Sequence, residues 1–114
     1  MFQYPKCLAF HNEKLYVVDM YNNRIQIFTH DGKFLFTFGK FGHDFGEFAC
    51  PTYIAISAFD EIFVADKENK RIQIFDEMGA FLRCCHTITN PMCISIDSSG
   101  YLLVSAYKNV HVFK

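Results

Sequence analysis

Ile62-Phe-Val-Ala-Asp-Lys-Glu-Asn-Lys-Arg-Ile-Gln-Ile-Phe75 is a second copy, shifted by 47 positions, of Leu15-Tyr-Val-Val-Asp-Met-Tyr-Asn-Asn-Arg-Ile-Gln-Ile-Phe28. A repeat of this length makes the chain an array of one supersecondary unit, which buries its faces by stacking on its neighbours. The register extends outward from the copies. Each unit opens on a proline, Pro5, Pro51 and Pro91, and Phe2 and Phe48 each stand three residues before theirs. In the second unit four short runs follow: Ile54-Ala-Ile-Ser57, Ile62-Phe-Val-Ala65, Arg71-Ile-Gln-Ile-Phe75 and Phe81-Leu-Arg-Cys84. Their β-branched and aromatic content and partial alternation predict strands, here called a to d. Gly32 and Gly79 fall four residues after Phe28 and Phe75, and Asp31-Gly32 is a hairpin signal between c and d. No segment has helical periodicity.

The expectation is therefore an all-β chain of four-stranded antiparallel blades, the recurring unit of a β-propeller. The units run from about 5 to 46, from about 51 to 86, and from about 91 to 114, the third lacking strand d. Leucine-rich repeats are too short for this period, and WD40 blades want a Trp-Asp dipeptide where this chain has no Trp.

Pro-x-x-Ile-Ala-Ile, Phe-Val-Ala-Asp-x-x-Asn-x-Arg-Ile-Gln-Ile-Phe, Gly-x-Phe-Leu and the segment Phe38 to Pro51 closely resemble the NHL repeat. The resemblance implies a propeller, typically six-bladed, of which this chain holds about 2.75 blades. It is most similar to the C-terminal propeller of tripartite-motif (TRIM) ubiquitin ligases. Two departures stand out. The small residue usual two positions after the proline is Cys7, Tyr53 or Cys93, and the third unit, Val104 to Phe113, lacks both the Asp and the Arg.

Eleven strands do not close a ring, since closed propellers need at least about four blades. The expectation is the C-terminal part of a longer propeller, with self-association as the rival way to cover the open ends.

Bulk properties narrow the class. The 114 residues are 51% hydrophobic and 18% aromatic, which excludes disorder. No apolar run approaches the ~20 residues that span a bilayer. Five cysteines without C-x-x-C spacing, and no signal peptide, suggest reduced thiols in a cytoplasmic protein. Five dispersed histidines, and the lack of H-E-x-x-H, G-x-S-x-G and P-loop motifs, give no catalytic or metal constellation and no cofactor. Gly39-Lys-Phe-Gly-His-Asp-Phe-Gly46 reads as a d-to-a connection turning a tight corner, because no helix follows it.

Asp19 with Arg24, and Asp66 with Arg71, flank the b-to-c hairpin; repetition at equivalent positions favours a structural pair over a ligand contact. Cys84-Cys85 reads as strand packing in preference to a redox switch. The rim of b-to-c and d-to-a connections carries a net charge of +2, and the opposite rim −5. Candidate ligand-binding residues on the first rim are Tyr21, Lys67, Lys70, Tyr107 and Lys108. Cys7, Tyr53 and Cys93, expected just before strand a at the channel mouth, join them as lining or as packing. The function expected is non-catalytic docking of a protein partner, in the resemblance a ligase's substrate-recognition part with its RING elsewhere. RNA binding through the basic rim is the alternative, and no membrane contact is expected.

Overall fold

The computed structural model describes residues 5–87, 89–97, 99–106 and 109–113. Among these, eleven strands form three antiparallel sheets, each in sequence order. The first holds β1 (Pro5–His11), β2 (Lys14–Asp19), β3 (Arg24–Thr29) and β4 (Phe34–Phe38). The second holds β5 (Pro51–Ile56), β6 (Ile62–Asp66), β7 (Arg71–Phe75) and β8 (Phe81–His86). The third holds β9 (Pro91–Ile96), β10 (Leu102–Ala106) and β11 (Asn109–Phe113). Strand a of each blade packs on the next, β1 on β5 and β5 on β9, so these strands form the inner edge of the array.

Strand a begins earlier than its β-branched residues suggest. Each copy starts at the proline, which an inner-edge strand tolerates because a missing N–H there breaks no ladder. The ladder then slips: Pro51 faces Asp66 while Tyr53 faces Ala65, leaving Thr52 as the extra residue of a bulge. The same slip separates Pro5 from Cys7 and Pro91 from Cys93. Cys7, Tyr53 and Cys93 therefore lie inside strand a, not before it.

Side-chain alternation sorts each strand between two cores. Ile62 and Val64 face the first blade, where they join Tyr16, Val18, Ile25, Ile27 and Phe48. Phe63 and Ala65 face the third blade and meet Ile94, Leu102 and Val104. Burial on both faces explains why the inner strands read as continuous apolar runs. The two ends of the array are different. Leu8 and Phe10 on β1 are 61% and 64% exposed, and Val110 and Val112 on β11 are 69% and 62% exposed. These are open blade faces.

One glycine fixes the route out of the first blade. Gly39 has φ +99°, and a Cβ there would lie 2.5 Å from Phe48 Cε2. The chain turns there in the left-handed region and lets the Phe48 ring close over it.

The a-to-b and c-to-d rim is built from one turn used repeatedly. Asp76 Oδ1 accepts the N–H groups of Met78 and Ala80, and Asp97 Oδ1 those of Ser99 and Tyr101. At Asp31-Gly32 the hairpin forms as a three-residue loop, 30–32. Thr29 N–H bonds the Lys33 carbonyl at 2.8 Å, and Gly32 takes the left-handed position at φ +92°.

Two side-chain contacts to carboxylates lie on this rim among the described residues. His11 Nε2 sits 2.7 Å from Asp60 Oδ1, with Asn12 Nδ2 at 2.8 Å, tying the first two blades. Arg83 makes a two-pronged contact with Glu61 at 2.8 and 3.1 Å. The hydrogen bond from His11 holds the Asp60 carboxyl below its ordinary range, and the Arg83 bond does the same for Glu61. A carboxylate lowered in the folded state stabilises above its unfolded pKa, and that contribution fades as pH falls through the folded value. The urea midpoint is thus expected to drop on acidification below the usual carboxylate range. Asp60→Asn and Glu61→Gln together should flatten that part of the profile. An unchanged profile in the double variant would contradict the assignment.

Candidate functional site

Asp66 is the centre from which the d-to-a and b-to-c rim is built. Its side chain is fully buried, and Oδ2 accepts from Asn69 Nδ2 (2.9 Å), Arg71 Nε (2.8 Å) and Gln73 Nε2 (3.1 Å). Oδ1 accepts the Ala49 N–H at 2.7 Å. Arg71 then reaches outward, donating to the carbonyls of His43 (3.1 Å), Asp44 (2.8 Å) and Glu47 (2.9 Å). Gln73 adds bonds to the Glu47 carbonyl and the Gly46 N–H. One carboxylate thus orients an Arg and a Gln whose remaining donors pin the connection 39–48.

The first copy repeats the centre. Asp19 Oδ2 accepts from Asn22 Nδ2 (3.0 Å), Arg24 Nε (3.0 Å) and Gln26 Nε2 (3.2 Å). Both Asp-Arg pairs are in contact, and the Asn and Gln of the repeated motif belong to the same network.

The pinned connection walls a cleft of about 440 Å³ with the b-to-c turns of the first two blades. Met20, Tyr21 and Asn23 come from the first turn, Phe41, His43, Ala49 and Cys50 from the connection, and Glu68 from the second turn. Tyr21 is 58% exposed and Phe41 66%. Phe41 meets His43 edge-on with ring centroids 5.6 Å apart. His43 Nδ1 lies 2.5 Å from Asn69 Oδ1, while Asn69 Nδ2 donates to the Gly42 carbonyl and to Asp66. The floor is held by the Cys50 N–H, which bonds Asn23 Oδ1 at 2.8 Å. Only Tyr21 of this lining was singled out from sequence. The available signal was the repeat itself, since Glu68 is the copy of Tyr21, 47 positions on.

The family model for 6-bladed beta-propeller proteins, DUF5128, matches residues 1–105. The chain belongs to this propeller family. No curated protein matches it. Among solved structures, a predicted exported protein of Bacteroides fragilis NCTC 9343 superposes with a TM-score of 0.81 at 18% identity, covering 92% of this chain and 30% of that one. Hydrazine synthase of Kuenenia stuttgartiensis superposes with a TM-score of 0.76 at 12% identity, covering 90% of this chain and 29% of that one. The chain therefore spans about three tenths of either relative, and at these identities the likeness shows the fold alone.

The remaining propeller positions fall elsewhere. Cys7, Tyr53 and Cys93 occupy one register position, facing Val18, Ala65 and Ser105 on their strand b partners. Cys7 packs against the first core and Tyr53 against the second, while Cys93 is exposed. Burial raises the Cys7 thiol, and a hydrogen bond with Cys93 raises the Tyr53 hydroxyl. None of the three lines the cleft. Lys67 and Lys70 stand on the second blade's b-to-c turn, with the Lys70 N–H bonded to the Lys67 carbonyl; neither lines the cleft. Tyr107 and Lys108 lie outside the described residues. Cys85 packs on the second core with its thiol raised by burial, whereas Cys84 is half-buried with Sγ 3.7 Å from His86 Nε2. Among the described residues no group of His, Cys, Asp and Glu is arranged to hold a metal. Among the same residues no helix is long and apolar enough to cross a membrane.

Proposed function

We propose that this propeller segment is a non-catalytic docking module whose rim cleft receives a protein partner. The observation that carries the reading is the pair of exposed rings, Tyr21 and Phe41, flanking a concave site held by the buried Asp66 network. Aromatic side chains on a rigid frame supply contact area at low entropic cost, the usual makeup of an interaction hot spot. The NHL-like motifs support a finer placement, substrate recognition in a cytoplasmic TRIM-type ubiquitin ligase whose RING lies outside these residues. RNA binding is the second reading, supported by Lys67 and Lys70 on the rim that also carries the Tyr21 and Phe41 rings. The cleft lining favours protein, because its charged residue is Glu68 and it includes no Lys or Arg.

The two readings separate on one protein. Peptides selected from a displayed library and a single-stranded oligouridine are each titrated into the chain between roughly 50 and 200 mM salt. Docking of protein predicts peptide binding that survives Lys67→Glu/Lys70→Glu, with no oligouridine binding at low salt. RNA binding that falls steeply with salt and is lost in that double variant would reverse the order.

A further inference from the structure

Resting on the docking reading, we infer that the cleft recognises an arginine side chain presented by the partner. The lining is selective in its chemistry. Tyr21 and Phe41 present exposed ring surface, and His43 adds a third ring edge-on to Phe41. The single ionic group of the lining is the Glu68 carboxylate, on an exposed residue. π faces together with one carboxylate favour a cation.

The hydrogen-bond pattern of His43 sharpens this. Asn69 Nδ2 donates to the Gly42 carbonyl and to Asp66, so its Oδ1 faces His43 and must accept. His43 Nδ1 therefore carries the proton, and in the neutral ring Nε2 on the far side is an acceptor. A carboxylate, an imidazole whose second nitrogen accepts in the neutral ring, and aromatic faces in one lining match a group that is planar, cationic and rich in donors. A guanidinium satisfies all three conditions, stacks on rings and is weakly hydrated, whereas an ammonium is a compact and strongly hydrated charge. The lysine of the same connection, Lys40, holds its Nζ 3.7 Å from Glu47 Oε2 and does not line the cleft.

The test uses three small probes on the intact chain: N-acetyl-arginine amide, its neutral isostere N-acetyl-citrulline amide, and N-acetyl-leucine amide. Binding is followed by NMR through the Met20 methyl and the Ala49 and Cys50 amides. The arginine probe is expected to shift these signals and to bind about five- to tenfold tighter than citrulline. Glu68→Gln, which keeps shape and removes charge, should narrow that difference, the rings keeping their share. Equal binding of citrulline, or tighter binding of leucine at the same signals, would overturn the arginine assignment and leave docking intact. So would silence from all three probes while selected peptides still require Tyr21 and Phe41. Selected peptides that need neither ring would remove the docking reading as well.

Discussion

Asp66→Ala is expected to destabilise the chain by about 3–5 kcal/mol, the range for stripping one partner from a buried ion pair. The carboxylate is fully buried and the Arg71 side chain is 5% exposed, so the variant leaves a guanidinium in the interior without its counter-charge. Four donors, from Ala49, Asn69, Arg71 and Gln73, lose their acceptor together. Asp19→Ala is the matched comparison. Arg24 is 31% exposed, so water compensates part of the loss and a smaller effect is expected. The measurement is the urea midpoint of each variant at unchanged slope. Equal and small losses at both positions would mean the network does not hold the rim.

Phe75→Ala should cost a similar amount, about 3–5 kcal/mol, for a different reason. Phe75 is fully buried, and its ring meets Phe38 at 4.8 Å, Phe48 at 5.6 Å and Phe81 at 6.0 Å. Those rings come from the first blade's outer strand, the connection and the second blade's outer strand. Truncation opens a cavity where three elements converge, and none of them can collapse into it without moving a sheet. Phe75→Leu fills most of that space and should lose under about 2 kcal/mol. Its copy Phe28 is only half-buried, so Phe28→Ala should cost less than Phe75→Ala. Reversal of that order in urea unfolding would contradict the packing described.

The blades were legible because their signal is periodic and local. The same Asp-x-x-Asn-x-Arg-Ile-Gln-Ile-Phe, read twice, places β2–β3 and β6–β7, where each Asp stands opposite its Arg. The start of strand a was not legible, because a proline argues against a strand wherever its position in the sheet is unknown. The bulge beside it was hidden for the same reason, and it carried Cys7, Tyr53 and Cys93 into the strand. The cleft was legible only at Tyr21. Phe41 and His43 reach it because Arg71 and Gln73 pin the backbone from His43 to Glu47, contacts across about 25 residues that no local pattern encodes. The repeat did hold one usable hint. Where the copies diverge, Tyr21 against Glu68, both residues turn to the same space from neighbouring blades.

Shared residues thus build the frame, and diverging ones furnish the site. The direct test is a Tyr21→Ala/Phe41→Ala chain, measured for peptide binding and for urea stability in parallel. Both side chains are largely exposed, so the unfolding free energy should stay within about 0.5 kcal/mol of the parent. Binding of a selected peptide should fall about tenfold or more. Binding that persists in the double variant, or a loss that merely tracks lost stability, would contradict the cleft as the docking site.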